Sequence, residues 1–324
     1  MVDRYNVTHT PPLVHHWLVS ALAVGSSLVL YSGSPFKPHS FMSIPKLLSS
    51  LRVTHFGTSA AYLMALEANN IMPIDDKSLD LSALEAIYST ASPLPPSTFS
   101  FVYKAFPSTI NLGSITGGTD IISLFGAPCP LLPVRAGQIQ CAGLGMAITV
   151  VDPASDSDDP RPLAPGAAGD LVCTQPFPCQ PLTFFGPGGE DKYRAAYFER
   201  FPGLWHHGDF VRMDPLTGAL VMLGRSDGVL KPSGVRFGSA EIYNILTKFF
   251  ATEVEDAVCV GRRRETDRDE TVCLFVLMCP GKTFDDELRE KIKGAVRKEL
   301  SPRHVPGIIE ECGGGIPKTA NGKK

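Results

Sequence analysis

Across residues 13–69 the apolar segments alternate in length and period. A helix-length stretch (LVHHWLVSALAVG) gives way to a short β-rich run (SLVLY), then a helical stretch (IPKLLSSL), a short run (VTHFG) and another helical one (SAAYLMALEAN). Strands separated by helices cannot pair as tight hairpins, so each is expected to lie parallel to a neighbour with the helix crossing over. The sequence therefore predicts an α/β fold built on a parallel sheet. Apolar residues at helical spacing also occur over 40–51 and 81–88. The proline-rich LPPSTF is expected to end one unit, and NLGSITGGTD reads as a loop.

Beyond Gly126 the character shifts to short apolar runs broken by Gly and Pro (QCAGLGMAITVVD, GDLVC, ALVMLG), which predicts a small β subdomain. Residues 152–169, rich in Pro, Asp and Ala, read as an exposed loop. Beyond Gly224 a third pattern begins. Ile242, Ile245, Leu246 and Phe249 share one face of a helix over 239–250, and TVCLFVLM reads as a buried strand. A second helix is expected over 283–300, with Leu288, Ile292, Ala295, Val296 and Leu300 in one stripe and Thr283 with Asp286 as its cap. We expect a large domain at 1–224 and a small α+β domain at 225–324.

Bulk properties narrow the function. A net charge of -3 leaves no basic stripe for nucleic acid. The most apolar run, residues 18–31, spans fourteen residues, short of the about 20 a membrane helix needs. Residues 1–10 are polar, unlike a secretory signal. The eight cysteines form no CxxC pair and lie mostly in apolar runs, as expected of reduced core residues in the cytoplasm. The partners these properties leave are small molecules.

The stretch LWHHGDFVRMDPLTGALVMLGRSDGVLKPSGVRFGSAEIYN, residues 204–244, carries the chemistry. Asp209, at the end of what reads as a loop, can accept hydrogen bonds from a vicinal diol. Arg225 and Asp227 close a short strand, and Arg236 sits in a Gly-bracketed turn before a helix, a placement suited to phosphate. In this pattern the chain resembles the acetoacetyl-CoA synthetase branch of the adenylate-forming (AMP-binding) acyl-CoA synthetases, over the C-terminal half of such an enzyme.

That resemblance implies a fold and a set of roles. The fold would be part of the adenylating large domain, a parallel sheet plus a small β subdomain, followed by a small mobile C-terminal domain. Asp209 would chelate both ribose hydroxyls, Arg225 would add a ribose contact and Arg236 a phosphate contact, and Asp227 would be the hinge. Thr119 would touch the α-phosphate and Asp120 would hold Mg²⁺, a hard cation served by one carboxylate plus substrate phosphates. Ala91, Ser92 and Pro93 would run along adenine, with Ala91 where relatives usually carry Gly. Gly117 lies where short-chain relatives place a tryptophan, leaving room for a four-carbon keto acid. Ser233 and Gly234 would line the pantetheine tunnel and Arg297 would reach the nucleotide end of CoA. Lys323, in PKTANGK, would be the catalytic lysine.

The implied activity is that of an acid–thiol ligase of lipid metabolism. Acetoacetate and ATP would give acetoacetyl-AMP, and CoA would then give acetoacetyl-CoA. The Ser/Thr/Gly-rich loop ending in Lys with which relatives wrap the β- and γ-phosphates has no match in these 324 residues, and the small domain reads as shorter than in relatives. The isolated chain is accordingly expected to hold adenylate better than ATP and to turn over poorly. Two other readings stand beside this one. One is a CoA ligase for a different short or branched acid of a biosynthetic pathway. The other is a non-catalytic relative that binds a nucleotide or a partner.

Overall fold

The computed structural model describes residues 5–8, 21, 23–31, 34–232, 236–264 and 269–317. Two compact units are present, one comprising Met1–His207 with Val211–Met222, the other Gly208–Phe210 with Leu223–Lys324.

The first unit begins with β1 (Tyr5–Thr8), β2 (Ser27–Leu30), β3 (His55–Ser59), β4 (Ala86–Thr90) and β5 (Asn111–Ser114). These form one sheet in the order β2-β1-β3-β4-β5, with every neighbouring pair parallel. The helices α1 (Ser43–Ser50), α2 (Ala60–Ala68) and α3 (Pro96–Ala105) connect its strands. Phe56, Leu63, Val102 and Leu112, fully buried, lie in the shared core. Ser59 ends β3 and starts α2 in one step, its side chain accepting from the Tyr62 amide at 3.2 Å.

Three local expectations are corrected here. The 81–88 segment is not helical: Leu81 and Leu84 enter the core from a turn, and β4 follows between β3 and β5. Pairing on both edges overrides a helical spacing only two residues deep. LPPSTF starts a helix rather than ending a unit, because Pro96 occupies the first position of α3, where its missing N–H has no partner to lose. NLGSITGGTD is largely strand, comprising β5 and then β6 (Thr116–Gly118). Most of the helix expected over LVHHWLVSALAVG falls outside the described residues.

The rest of the unit is β-rich. β6 pairs with β7 (Ser123–Ala127), which pairs with β8 (Cys141–Ala142), both antiparallel. A four-stranded sheet of β9 (Ile148–Val151), β10 (Ala168–Cys173), β11 (Trp205–Met213) and β12 (Leu220–Arg225) has the order β12-β11-β10-β9. Residues 152–167 carry neither helix nor strand and are mostly exposed. The helix α4 (Gly189–Tyr197), absent from the sequence reading, brings Tyr193 and Tyr197 against Trp205.

The second unit holds β13 (Val229–Leu230), β14 (Phe237–Gly238), α5 (Ser239–Phe249), β15 (Val254–Arg262), β16 (Thr271–Met278), α6 (Asp286–Glu299) and β17 (Ile308–Glu311). β15 and β16 are antiparallel, β16 and β17 parallel, and Ile242, Leu274, Val276, Ile292 and Val296 centre the core. The cap of α6 is Asp285, which accepts from the Leu288 amide at 2.8 Å, rather than Thr283. Aspartate directly before the first turn also meets the positive end of the helix dipole. All eight cysteines are free, and burial pushes the Cys259 thiol up to about 12, which makes it an inert core residue.

Candidate functional site

In the first unit the chemistry gathers at the hairpin between β6 and β7. The turn is closed by the Ile122 amide donating to the Thr119 carbonyl at 3.2 Å. This leaves Thr119 and Asp120 exposed while Ile121 plugs the core beneath them. The Tyr197 hydroxyl donates to Asp120 Oδ2. Tyr197 in turn lies flat on Trp205, with ring centroids 3.7 Å apart at 16°. Trp205 Nε1 donates to His207 Nδ1 at 3.3 Å, and His207 meets Phe125 edge-on at 4.7 Å. His207 Cε1 lies 3.0 Å from where a Cβ on Gly118 would stand. Such aromatic pairs contribute roughly 0.5–1.5 kcal/mol each beyond their burial, so the hairpin rests on a stiff support.

No group of three or more His, Cys, Asp or Glu that could hold a metal exists among the described residues, so Asp120 belongs to no such cluster. A lone exposed carboxylate does not make a site for zinc or calcium. It does fit Mg²⁺, which keeps most of its water and takes one carboxylate together with substrate phosphates.

Gly117 has a structural reason of its own. A Cβ there would lie 2.2 Å from the Ser123 carbonyl oxygen and 2.6 Å from Leu124 Cα, where the β6–β7 register shifts. The hairpin itself therefore demands glycine, whatever space that glycine also leaves for a substrate.

Ala91 follows β4 with φ at +75°, a conformation that glycine adopts freely and alanine does not. Ser92 and Pro93 continue the chain toward α3. Ala91→Gly is expected to relieve this strain and stabilise the protein by about 1 kcal/mol after glycine's larger chain entropy is deducted. Calorimetry should show the thermal midpoint rising by about 2 °C. A lower midpoint would mean that packing of the Ala91 methyl outweighs the backbone strain.

In the second unit Asp209 is the centre. It does not end a loop but lies within β11, and it is only 5% exposed. Its Oδ1 accepts from Arg225 Nη1 at 2.9 Å, and Arg225 Nε lies 3.9 Å from Asp227 Oδ1. Gly208 lies directly beside this pair. Its φ is +77°, and a Cβ there would come within 2.6 Å of Arg225 Nη2. The result is a buried carboxylate steered by a half-exposed guanidinium, with Asp227 exposed in the turn that follows β12. Gly238 is equally constrained, since a Cβ would fall 1.7 Å from the Leu223 carbonyl oxygen.

Arg236 is partly buried just before β14, and Arg297 is exposed on the last turn of α6. Ser233, Gly234 and Lys323 lie outside the described residues. Sequence reasoning missed Tyr197, Trp205 and His207. The WHHGD motif contained two of them, but nothing local linked them to Asp120.

The family model for AMP-binding enzymes matches residues 5–179, and that for the AMP-binding enzyme C-terminal domain matches 251–323. A malonamoyl-CoA synthetase of Penicillium aethiopicum is 50% identical over 323 residues, covering 96% of this chain and 43% of that protein. Acetoacetyl-CoA synthetase of Mus musculus is 46% identical over 312 residues, covering 96% of this chain and 44% of that protein. The structure of acetoacetyl-CoA synthetase from Streptomyces lividans superposes with a TM-score of 0.86 at 37% identity, covering 99% of this chain and 47% of that one. The chain thus spans less than half the length of each of these three relatives.

Proposed function

We propose a function from the premise that this chain belongs to the AMP-binding enzyme family: the whole protein is an AMP-forming acid–thiol ligase that makes acetoacetyl-CoA from acetoacetate, ATP and CoA. The observation that carries this reading is the buried Asp209 carboxylate, held by Arg225 beside a glycine with a positive φ. A carboxylate held in this way is organised for a diol, and the ribose of a nucleotide presents one. The 46% identity to an acetoacetyl-CoA synthetase supports the choice of acid.

The residues divide the work. Asp209 and Arg225 take the ribose hydroxyls, the Ala91–Ser92–Pro93 backbone lies along adenine, and Thr119 and Arg236 contact phosphate. Asp120 would hold Mg²⁺, which when bound would neutralise phosphate charge. Gly117 borders the acyl group. Lys323 would supply the ammonium that meets the negative charge growing as carboxylate attacks the α-phosphate. Ser233, Gly234 and Arg297 serve CoA in the second half-reaction, with Asp227 as the pivot between the two. The free cysteines support a reducing, cytoplasmic setting.

A second acid has a specific observation in its favour, the 50% identity to a malonamoyl-CoA synthetase. Malonamate and acetoacetate share a carboxylate, a methylene and a carbonyl, and differ only in a terminal amide nitrogen against a methyl group. The test is the whole protein with ATP, Mg²⁺ and CoA, reading AMP release with each acid in turn. Acetoacetate-dependent AMP and thioester are expected. A preference for malonamate of tenfold or more, on the order of a single lost hydrogen bond, would move the assignment to that acid. Release with neither acid would overturn the reading.

A further inference from the structure

We propose that Tyr197 is a positioning residue for Asp120, and that Trp205 carries it, so that α4 and β11 together set the carboxylate that receives the divalent cation. The inference rests on the proposed nucleotide-binding role of the β6–β7 turn and goes beyond it, since neither α4 nor its tyrosine belongs to that set of roles.

The geometry has three parts. Asp120 sits exposed on the four-residue turn 119–122, and an aspartate in such a place would ordinarily sample several rotamers. Here one of its oxygens accepts the Tyr197 hydroxyl. This fixes the plane of the carboxylate, and Oδ1, the other oxygen, would be the one to meet a divalent cation. The tyrosine cannot drift, because its ring is stacked on Trp205, which is 2% exposed and ringed by Phe125, Phe177, Tyr193 and Phe198.

The same indole also holds the other side of the turn. Its Nε1 donates to His207 Nδ1, so a neutral His207 carries its proton on Nε2, and the His207 ring lies beside Gly118, in the space a side chain there would need. One buried tryptophan therefore braces the turn at Gly118 through His207 and at Asp120 through Tyr197. A purely structural aromatic cluster would need neither the hydroxyl on Tyr197 nor its aim at Asp120. Phenylalanine would stack on Trp205 equally well.

Orientation of a ligating carboxylate by a hydrogen bond characteristically accounts for about 10–100-fold in metal affinity. On an exposed turn the lower end of that range is expected. The experiment is a calorimetric titration of the whole protein with α,β-methylene ATP, in Mg²⁺ and again in EDTA. The quantity read is the ratio of the two affinities, which reports the metal's contribution alone. Tyr197→Phe should shrink that ratio about tenfold, and Asp120→Asn should abolish it. Tyr193→Phe serves as the control. It removes a hydroxyl from the same helix and cluster, one that accepts from Gln180 and not from the turn, and should leave the ratio at the wild-type value.

A Tyr197→Phe ratio equal to wild type, with Asp120→Asn still abolishing it, would overturn the positioning role and leave the nucleotide site standing. If Asp120→Asn leaves the ratio intact, the role of the turn itself fails, and the proposal fails with it. An equal loss in Tyr193→Phe would show a general loosening of the cluster, which also overturns it.

Discussion

Asp209→Ala should reduce the affinity for a non-hydrolysable acyl-adenylate at least about 100-fold, since a carboxylate that accepts both ribose hydroxyls makes two charge-assisted hydrogen bonds of about 1.5–3 kcal/mol each. The substitution should do so without unfolding the protein. Its partner Arg225 is more than half exposed, so the guanidinium left behind can be hydrated. Removing the buried carboxylate also removes its own desolvation cost, which offsets the lost pairing. Calorimetric titration with the adenylate, beside a thermal melt of the same samples, separates the two effects. Asp209→Asn should be intermediate, because the amide keeps one acceptor and most of the packing. Equal binding by wild type and Asp209→Ala would remove the nucleotide assignment, since no other carboxylate in 204–210 could take its place.

Asp209 stood out in the sequence because the residues around it are close by in the chain. Gly208 and Arg225 are needed within a few ångströms of it, and both lie in one short stretch whose turns are marked by glycine. Where an element's pattern is local in sequence the reading meets the structure: the alternation that builds the parallel sheet, the run of β16, and the stripe of α5 at Ile242, Ile245 and Leu246, though Phe249, placed in the same stripe, is 44% exposed while Phe250 is buried. It erred where a distant partner decides. Residues 81–88 carry a helical spacing, yet β3 and β5 on either side draw Ala86–Thr90 into a sheet. Asn111–Gly118 looks like loop because Gly, Ser and Thr dominate it, and it becomes strand only by pairing with β4 and β7. The Tyr197–Asp120 contact spans 77 residues, and no spacing rule connects a helix end to a hairpin turn over that distance. Gly117 carries a second reason that the sequence did not show, since the hairpin backbone itself requires glycine there.

The largest effect is expected at Lys323, and it should fall on one half-reaction only. Formation of the adenylate drives a carboxylate onto a phosphate, so negative charge accumulates between the two groups, and an ammonium aimed there stabilises the transition state more than the ground state. Lys323→Ala should therefore slow acid-dependent pyrophosphate exchange by about 10²–10³-fold. Attack of the CoA thiol on a finished adenylate is different. The acyl carbon is already activated, AMP is a good leaving group, and no second anion approaches the phosphate. The same variant should convert supplied acyl-adenylate to thioester at the wild-type rate. Gly234→Leu should give the reverse pattern, because a branched side chain in a pantetheine channel obstructs CoA but not ATP. Lys318, five residues before Lys323, is the control for a general effect of charge in this segment, and Lys318→Ala should leave both half-reactions intact. The measurement is exchange of labelled pyrophosphate beside thioester formation from synthetic acyl-adenylate, on the whole protein in each variant. Normal exchange in Lys323→Ala would show that the adenylation charge is met by another group, with Arg236 the next to test. Loss of both half-reactions together would mean that the segment shapes the site as a whole and does not serve one of its two chemistries.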